Sequence, residues 1–294
     1  MRKTVQAMWG LITNAYVKGF MPGGGIYKGP LKHFCVPGMN CYSCPGALGA
    51  CPIGALQSTL SARHRGFPFY VAGFLMAVGL FVGRFICGWL CLFGLLQELL
   101  YKIPTPKLKI PDRLDRGLRY LKYAVLAVLV IGLPLFYRDE YGAGEPFFCK
   151  YICPVGTLEG GIPLVLLNDV LRPTLGWLFQ WKFLLLVLCV LSSVFIYRPF
   201  CKYICPLGAF YALFSKVSIV RMRVDTHKCT DCGACARMCP MNVDPAKHPN
   251  SPECIRCGEC MRACPMKALS FTVTGRGAKA ECTAADNKEK ENFL

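Results

Sequence analysis

The chain has 294 residues, of which 54% are hydrophobic and only 17% are charged, a balance that argues against an ordinary soluble protein. Its formal net charge of +17 would suit nucleic-acid binding, but the basic residues flank apolar runs, as in membrane proteins, and we expect no nucleic-acid partner. The 20 cysteines recur at metal-binding spacings and do not suit a small secreted disulfide scaffold, so we predict anaerobic iron–sulfur chemistry at a membrane.

Four apolar segments predict a four-helix transmembrane domain over residues 1–215 of a mostly α-helical fold. The predicted spans are residues 5–20, 67–86, 120–137 and 175–197. The first is short for a span, which needs about 20 residues. It is interpreted as an uncleaved helix because no small-residue cleavage site follows it.

The charges between the apolar segments predict how the spans are oriented. Segment 101–122 carries seven lysines and arginines against two aspartates, which places it in the cytoplasm. Its prolines at 104, 106 and 111 predict an extended surface segment. Segment 138–175 is richer in acidic residues and is predicted on the outer side. We therefore expect a multi-pass protein of the cytoplasmic membrane whose C-terminal domain lies in the cytoplasm.

A short motif recurs four times in the membrane domain: a cysteine, usually a proline, an apolar residue and a glycine. The copies are residues 51–54, 91–94, 153–156 and 205–208. Three copies carry a second cysteine four residues earlier, namely Cys87, Cys149 and Cys201; the first copy has Ala47 there, with Cys44 nearby. Roughly ten mostly apolar residues follow each motif, too few to cross a bilayer, so we predict that each motif begins a half-helix or an interfacial helix.

The motif places its last cysteine at the N-terminus of a helix. Proline is accepted in the first turn of a helix, so the helix is expected to begin directly after the cysteine. There the helix dipole and the free backbone N–H groups lower the thiolate pKa and favour an anionic cluster. Two such cysteine pairs supply four thiolates, enough for one [4Fe–4S] cluster.

The predicted topology decides which cysteine pairs can meet. The pairs that close spans two and four share the inner side, so we assign an inner [4Fe–4S] cluster to Cys87, Cys91, Cys201 and Cys205. On the outer side we predict a second cluster on Cys149, Cys153, Cys51 and one of Cys44 or Cys41. Cys35 is the first candidate to exclude.

Two alternatives remain for these membrane cysteines. The inner set could be incidental packing between helices, and the outer set could be packing or a disulfide. Cys189, in mid-span, is predicted to be a packing residue, and Cys282 to be a free thiol. The histidines are few and scattered, and we predict surface positions for them, namely His33, His64, His227 and His248.

Residues 216–273 contain the pattern C-x2-C-x2-C-x3-C-P twice, which is typical of an α+β two-cluster ferredoxin domain. The fourth cysteine of each run binds the other cluster. We therefore assign one [4Fe–4S] cluster to Cys229, Cys232, Cys235 and Cys264, and the other to Cys254, Cys257, Cys260 and Cys239.

Gly233 and Gly258 occupy the same position in each half of this domain, where the backbone must approach inorganic sulfide. A zinc site or a disulfide framework is the alternative, but two complete copies with matching prolines do not suit it. Residues 274–294 are polar with mixed charges and predict a disordered tail.

The paired cysteines of the inner set, Pro206 and the eight ferredoxin cysteines resemble a known family. Roughly residues 67–272 are similar to the membrane ferredoxins that accompany periplasmic nitrate reductase and methylamine dehydrogenase. A more distant similarity extends to the membrane ferredoxins associated with nitrous-oxide reduction and with cytochrome-oxidase assembly. The resemblance implies electron transfer between the cytoplasmic side and a membrane or extracytoplasmic redox partner. Two features depart from the family. Leu92 replaces the proline that usually follows the second cysteine of this motif, and the outer cysteines at 41–51 and 149–153 are not general to the family.

The leading hypothesis is an electron conduit with four [4Fe–4S] clusters, two in the ferredoxin domain and two in the membrane domain. It would relay electrons across a hydrocarbon core of about 30 Å between redox partner subunits on the two sides. No catalytic triad, nucleotide fingerprint or carboxylate pair accompanies the cysteines, so substrate conversion is assigned to another chain. The alternatives are a reductase that matures a partner metalloenzyme and a quinone-reactive redox subunit.

Overall fold

The structure is a computed structural model that describes residues 1–21, 24–62, 68–108, 110–140, 142–173 and 175–273. The predicted tail, Cys282 and His64 lie outside the described residues. The described part of the chain is mostly helical, with one two-stranded sheet near its C-terminal end.

The helices and strands follow one another in chain order. The first part forms α1 (Arg2–Thr13), α2 (Pro52–Leu60), α3 (Phe69–Val82), α4 (Phe85–Trp89) and α5 (Leu92–Tyr101). The middle part forms α6 (Asp112–Phe136), a π-helical turn (Phe148–Ile152), α7 (Gly156–Leu167) and α8 (Trp177–Phe195). The last part forms α9 (Pro199–Tyr203), α10 (Pro206–Leu213), β1 (Val220–Val224), α11 (Ala234–Arg237), α12 (Glu259–Ala263) and β2 (Leu269–Val273). Short 3-10 turns lie at Val17–Phe20, Pro30–His33 and Asp169–Leu171.

Two helices of the described chain are long and apolar enough to cross a membrane, α6 with 25 residues and α8 with 19. They correspond to the predicted spans 120–137 and 175–197. Only 11% of the most apolar window of α8 is buried inside the chain. The other residues of that window are partly or fully exposed and mostly apolar, which suits contact with lipid.

The first two predicted spans are represented by shorter helices, α1 with 12 residues and α3 with 14. One face of α1 buries the polar residues Arg2 and Gln6, which reach the cysteine motif around Cys91. Helix α3 ends at Gly83, whose φ of +53° breaks the helix. Both fall short of the roughly 20 residues that a span needs, so the predicted four-helix transmembrane domain is not confirmed.

Helix α6 begins earlier than the sequence predicted. The extended surface segment predicted over 101–122 is wrong for its second half, because residues 112–122 are helical. Pro111 precedes the first turn and therefore does not interrupt the helix. Asp112 and Asp115 stand in that first turn, where acidic side chains suit the helix dipole. The Asp115 carboxylate also accepts a hydrogen bond from Lys202 at 2.6 Å, which holds α6 against α9.

Three half-helices begin where the repeated motif predicts. Helices α2, α5 and α10 start directly after the last cysteine of a motif. Pro52 and Pro206 occupy the first turns of α2 and α10. Helix α5 starts at Leu92, so the missing proline does not prevent the helix from starting there.

The ferredoxin domain pairs β1 with β2 in antiparallel register, Val220 with Val273 and Val224 with Leu269. Between the strands lie the two short helices α11 and α12, which each follow a glycine in left-handed conformation. The sheet and α12 pack around a small core that contains Met222, Cys260 and Leu269.

Candidate iron–sulfur sites

Each of the two cysteine sets assigned to the ferredoxin clusters surrounds its own cavity. One cavity is lined by Cys229, Cys232, Cys235 and Cys264. The other is lined by Cys239, Cys254, Cys257 and Cys260. The structure thus brings together both predicted sets, including the exchange of the fourth cysteine between the two halves.

The two ferredoxin loops have matching backbone conformations. Asp231 and Arg256 take left-handed conformations at φ values of 50° and 53°, and Gly233 and Gly258 do so at 67° and 82°. These turns aim backbone N–H groups at sulfur. The N–H of Ala234 lowers the pKa of the Cys232 thiol. Donors of this kind stabilise a thiolate bound to iron.

The four cysteines that we call the inner quartet (Cys87, Cys91, Cys201 and Cys205) are all buried. The pKa of Cys201 is raised to about 12, mainly by burial and also by the neighbouring thiols Cys91 and Cys87. Burial raises the pKa of Cys205, and the other three thiols of the quartet contribute to the rise. All four cysteines belong to one buried core cluster. Iron binding must displace the protons of these thiols, because thiolate is the ligand form.

The half-helices point free N–H groups at these sulfurs. The Gly94 N–H donates to Cys91 Sγ at 3.4 Å, and the Gly208 N–H donates to Cys205 Sγ at 3.3 Å. In the outer copies of the motif, burial raises the pKa of the Cys51 and Cys153 thiols, and the backbone N–H groups of Gly54 and Gly156 oppose that rise. In the two inner motifs, the glycine is therefore the residue whose amide caps the cysteine, as expected for a helix N-terminus that receives an anion.

Two fully buried arginines lie beside the inner quartet. Arg198 donates to the Cys87 carbonyl at 2.5 Å, and its guanidinium lies 2.8 Å from Glu98. Arg84 donates to the Cys201 carbonyl at 3.4 Å. Both side chains are 0% exposed. Because a cluster with four thiolates is anionic, buried positive charge at this position suits it.

Sequence reasoning missed these arginines, although a signal for them exists. Arg84 stands three residues before Cys87, and Arg198 stands three residues before Cys201. The repeat therefore extends upstream of its first cysteine. Gln97 was also missed, and its Nε2 donates to Cys201 Sγ at 3.2 Å. No local pattern indicates that contact, because it joins residues 104 positions apart.

The outer cysteines line a cavity of about 490 Å³. Those we call the outer quartet are Cys41, Cys51, Cys149 and Cys153. A methyl group placed on Gly156 would lie 3.8 Å from Cys41 Sγ and 4.0 Å from Cys153 Sγ, so these two sulfurs are close. Burial raises the pKa of Cys153 to about 12, and the charges of Cys41 and Cys51 add to the effect.

The structure distinguishes between the two candidates for the fourth outer position. Cys41 lines the cavity, whereas Cys44 Sγ lies 3.6 Å from Asn14 Oδ1 and is not part of the lining. Cys35, the first candidate for exclusion, does line the cavity. Burial raises the pKa of Cys35 to about 11, and the nearby Cys51 contributes. The outer cavity therefore holds five thiols for four ligand positions.

The remaining candidates lie apart from these sites or at their edge. Cys189 is partly buried in α8 and packs against the core. The described histidines are exposed, namely His33, His227 and His248, and His33 lies at the rim of the outer cavity. Among the described residues, no three His, Cys, Asp or Glu side chains converge on a single-ion site. A cubane presents a separate iron atom to each thiolate, so its ligands stand around a space, as these quartets do.

The ferredoxin domain touches the inner quartet directly. Gly88 packs so closely on the loop between Cys254 and Cys257 that a methyl group there would lie 2.2 Å from the Ile255 carbonyl oxygen. Within that loop, the Arg256 carbonyl accepts from Trp89 Nε1 at 3.0 Å.

Buried ion pairs and hydrogen bonds hold this contact. The Glu253 carboxylate accepts from Lys122 at 2.5 and 2.6 Å and from Arg84 at 3.1 Å. Arg256 donates to the Val82 carbonyl at 2.7 Å and to Ser218 Oγ at 2.7 Å. Glu253 and Arg256 of the ferredoxin domain therefore hold this contact. Glu253 pairs with Lys122 of α6 and with Arg84, which follows α3, and Arg256 donates to polar groups at the end of α3 and in the segment that links α10 to β1.

Cysteine sets at the starts of half-helices, joined to a two-cluster ferredoxin domain, define an iron–sulfur protein of the electron-transfer class. The chain matches the family of 4Fe-4S binding domains over residues 49–70, 66–111, 124–162 and 177–225. It also matches the 4Fe-4S dicluster domain over residues 221–265. It belongs to the membrane-associated 4Fe-4S polyferredoxin family, as the resemblance implied.

Three relatives illustrate the range of the family. An uncharacterized protein of Methanocaldococcus jannaschii is 32% identical over 204 residues, which are 67% of this chain and 76% of the relative. The methylamine utilization ferredoxin-type protein MauN of Methylorubrum extorquens is 31% identical over 66% of this chain and 62% of its own. The regulatory protein NosR of Pseudomonas aeruginosa is 31% identical over 56% of this chain, but the match spans only 21% of NosR. No solved structure matches the chain.

Proposed function

We propose that this protein relays electrons through four [4Fe–4S] clusters, from a cytoplasmic partner at the ferredoxin domain to an acceptor in or beyond the membrane. Two clusters are held by the ferredoxin quartets, the third by the inner quartet and the fourth by the outer quartet. The observation that carries the proposal is the packing of Gly88 on Ile255. It places a ferredoxin cluster loop against the backbone of the inner quartet, with no intervening side chain at that contact.

The residues of the chain hold the clusters and set their potentials, whereas the clusters themselves supply one-electron chemistry. The capping amides of the half-helices and the buried arginines Arg84 and Arg198 stabilise negative charge at the inner site. We assign the two sides of the membrane from the basic segment 101–122, which contains the start of α6. We place this segment in the cytoplasm because basic loops are retained there. Spans over α6 and α8 anchor the protein, and α1 and α3 complete the membrane domain as shorter helices.

Iron and sulfide analysis of anaerobically purified protein, with EPR spin counting, tests the proposal. We expect about 16 iron atoms per chain, four for each of four cubanes. A count of about 12 iron atoms would show that the outer cluster is absent and that the relay ends at the inner quartet. About 8 would leave only a ferredoxin on a membrane anchor, and the proposed function would then be wrong.

The outer cavity supports a second candidate, a quinone-reactive subunit. Its volume of about 490 Å³ greatly exceeds the cavities of about 20 and 10 Å³ within the ferredoxin quartets. A soluble quinol mixed with the oxidised protein distinguishes the two candidates. Reduction of the clusters at a rate that saturates with quinol favours the second candidate. Unchanged EPR and optical spectra favour a protein acceptor or donor on the outer side.

A further inference from the structure

A short buried segment, Met39–Asn40, lies between the inner and outer quartets. Both residues are 4% exposed. The segment is held on the inner side, because Tyr211 donates to the Pro37 carbonyl at 2.9 Å. A methyl group placed on Gly38 would lie 3.6 Å from the Cys91 Cα atom, so the backbone runs alongside the inner motif.

The two residues face different quartets. Met39 Sδ lies 3.5 Å from Cys205 Sγ, so Met39 belongs to the inner site. Asn40, the next residue, lines the outer cavity together with Cys51. The buried segment therefore runs from the inner site to the outer cavity.

The Asn40 side chain has an unused hydrogen-bonding capacity. Among the described residues, neither its Oδ1 nor its Nδ2 finds a hydrogen-bond partner. Leaving a buried carboxamide unpaired is costly, and nearly all such groups in folded proteins are paired. The cavity that Asn40 lines is the one that the outer quartet surrounds. An anionic cluster in that cavity would offer sulfur acceptors to the amide.

We propose that Asn40 is a positioning residue of the outer cluster, whose side-chain N–H donates to cluster sulfur and raises the reduction potential of that cluster. This inference rests on the proposed function, because it requires a cluster on the outer quartet. In the transfer concerned, one electron leaves the reduced inner cluster and enters the oxidised outer cluster, and no bond or proton changes. A donor to sulfur stabilises the added negative charge and so favours transfer outward.

An EPR-monitored redox titration of the full-length protein tests this role with two matched variants. Asn40→Leu keeps the side-chain size and removes the amide at the outer site. Gln97→Leu removes the amide that donates to Cys201 at the inner site. We expect Asn40→Leu to lower the reduction potential of the outer cluster and to leave that of the inner cluster unchanged. We expect Gln97→Leu to lower the potential of the inner cluster and to leave that of the outer cluster unchanged.

At a fixed solution potential, we expect the ratio of reduced to oxidised cluster to fall roughly threefold to tenfold. A tenfold fall corresponds to a decrease of about 59 mV in the reduction potential of the cluster. Asn40→Asp adds a negative charge in the same shape and should lower the outer potential further. An unchanged outer potential in Asn40→Leu overturns the inference. So does loss of the outer iron in both Asn40 variants, because the residue would then act only in folding.

The failure of this inference is distinguishable from the failure of the proposed function. If the wild-type protein contains about 12 iron atoms, no outer cluster exists, the proposed relay ends at the inner quartet, and this inference fails because its site is absent. If it contains about 16 and the Asn40 variants keep the wild-type potential, the relay stands and only the role of Asn40 is excluded.

Discussion

Replacing Cys149 and Cys153 by serine is expected to remove about four iron atoms per chain and the EPR signal of the outer cluster. Two of the four ligands of the outer quartet would be lost, and a cubane held by two cysteines is not stably bound. The ferredoxin and inner signals should persist, because their ligands lie on other segments. Iron analysis and EPR spectra of the anaerobically purified variant provide the measurement.

Single substitutions separate the three remaining outer candidates. We expect Cys41→Ser to lose the outer cluster, because Cys41 lines the cavity beside Cys153. Cys44→Ser should retain it, since that thiol faces Asn14. Cys35→Ser should also retain it if the outer quartet supplies the four ligands. Loss of the inner signal in the Cys149 and Cys153 variant would show that the assignment of cysteine pairs is wrong.

Glu253→Gln is expected to destabilise the protein by about 3–5 kcal/mol. The change removes the negative charge that faces both Lys122 and Arg84, whose side chains are 0% exposed. Two buried cations would then share a neutral amide, at the junction between the ferredoxin domain and the inner quartet. Thermal unfolding in detergent, followed by circular dichroism and cluster absorbance, measures the loss.

Glu145→Gln is the matched control for this substitution. Glu145 also pairs with a lysine at 2.5 Å, but both side chains are about one-third exposed, at 37% and 34%. An exposed pair of this kind contributes about 0–1 kcal/mol. Equal effects of the two substitutions would show that the Glu253 cluster does not hold the ferredoxin domain in place.

The same carboxylate gives the junction a pH dependence. Burial alone would raise the pKa of Glu253, but the charges of Arg84 and Lys122 outweigh burial and hold the pKa below its ordinary value of 4.5. A carboxylate with a depressed pKa stabilises the folded state above its ordinary pKa. That contribution is lost as the pH falls from about 4.5 through the lower folded value.

Short-range spacing in the sequence was sufficient to group most of the cysteines. Within each ferredoxin half, the first three cysteines are so closely spaced that they share one loop, and the two-cluster pattern assigns the fourth cysteine of each run to the other cavity. The half-helices after Cys51, Cys91 and Cys205 were predictable for the same reason, because a helix start depends on only a few neighbouring residues. The family also followed from these motifs. The iron ligands themselves stay predictions.

Other features depend on contacts between distant segments. Hydropathy predicts a span over residues 5–20, but α1 buries a polar face against the Cys91 motif and ends after 12 residues. The prolines in segment 101–122 suggest an extended chain, but Pro111 stands before a helix whose Asp115 pairs with α9. Local composition cannot show which polar groups will find partners elsewhere in the fold.

From the order of its residues alone, this chain could be recognised as an iron–sulfur electron-transfer protein with membrane-type helices and a two-cluster ferredoxin domain. That order could not separate Cys41 from Cys44, reveal the packing of Gly88 on Ile255, or place Asn40 between two quartets. These facts arise when segments far apart in the chain pack together. Spacing controls neighbours along the backbone, whereas burial, charge pairing and close approach are properties of the packed molecule.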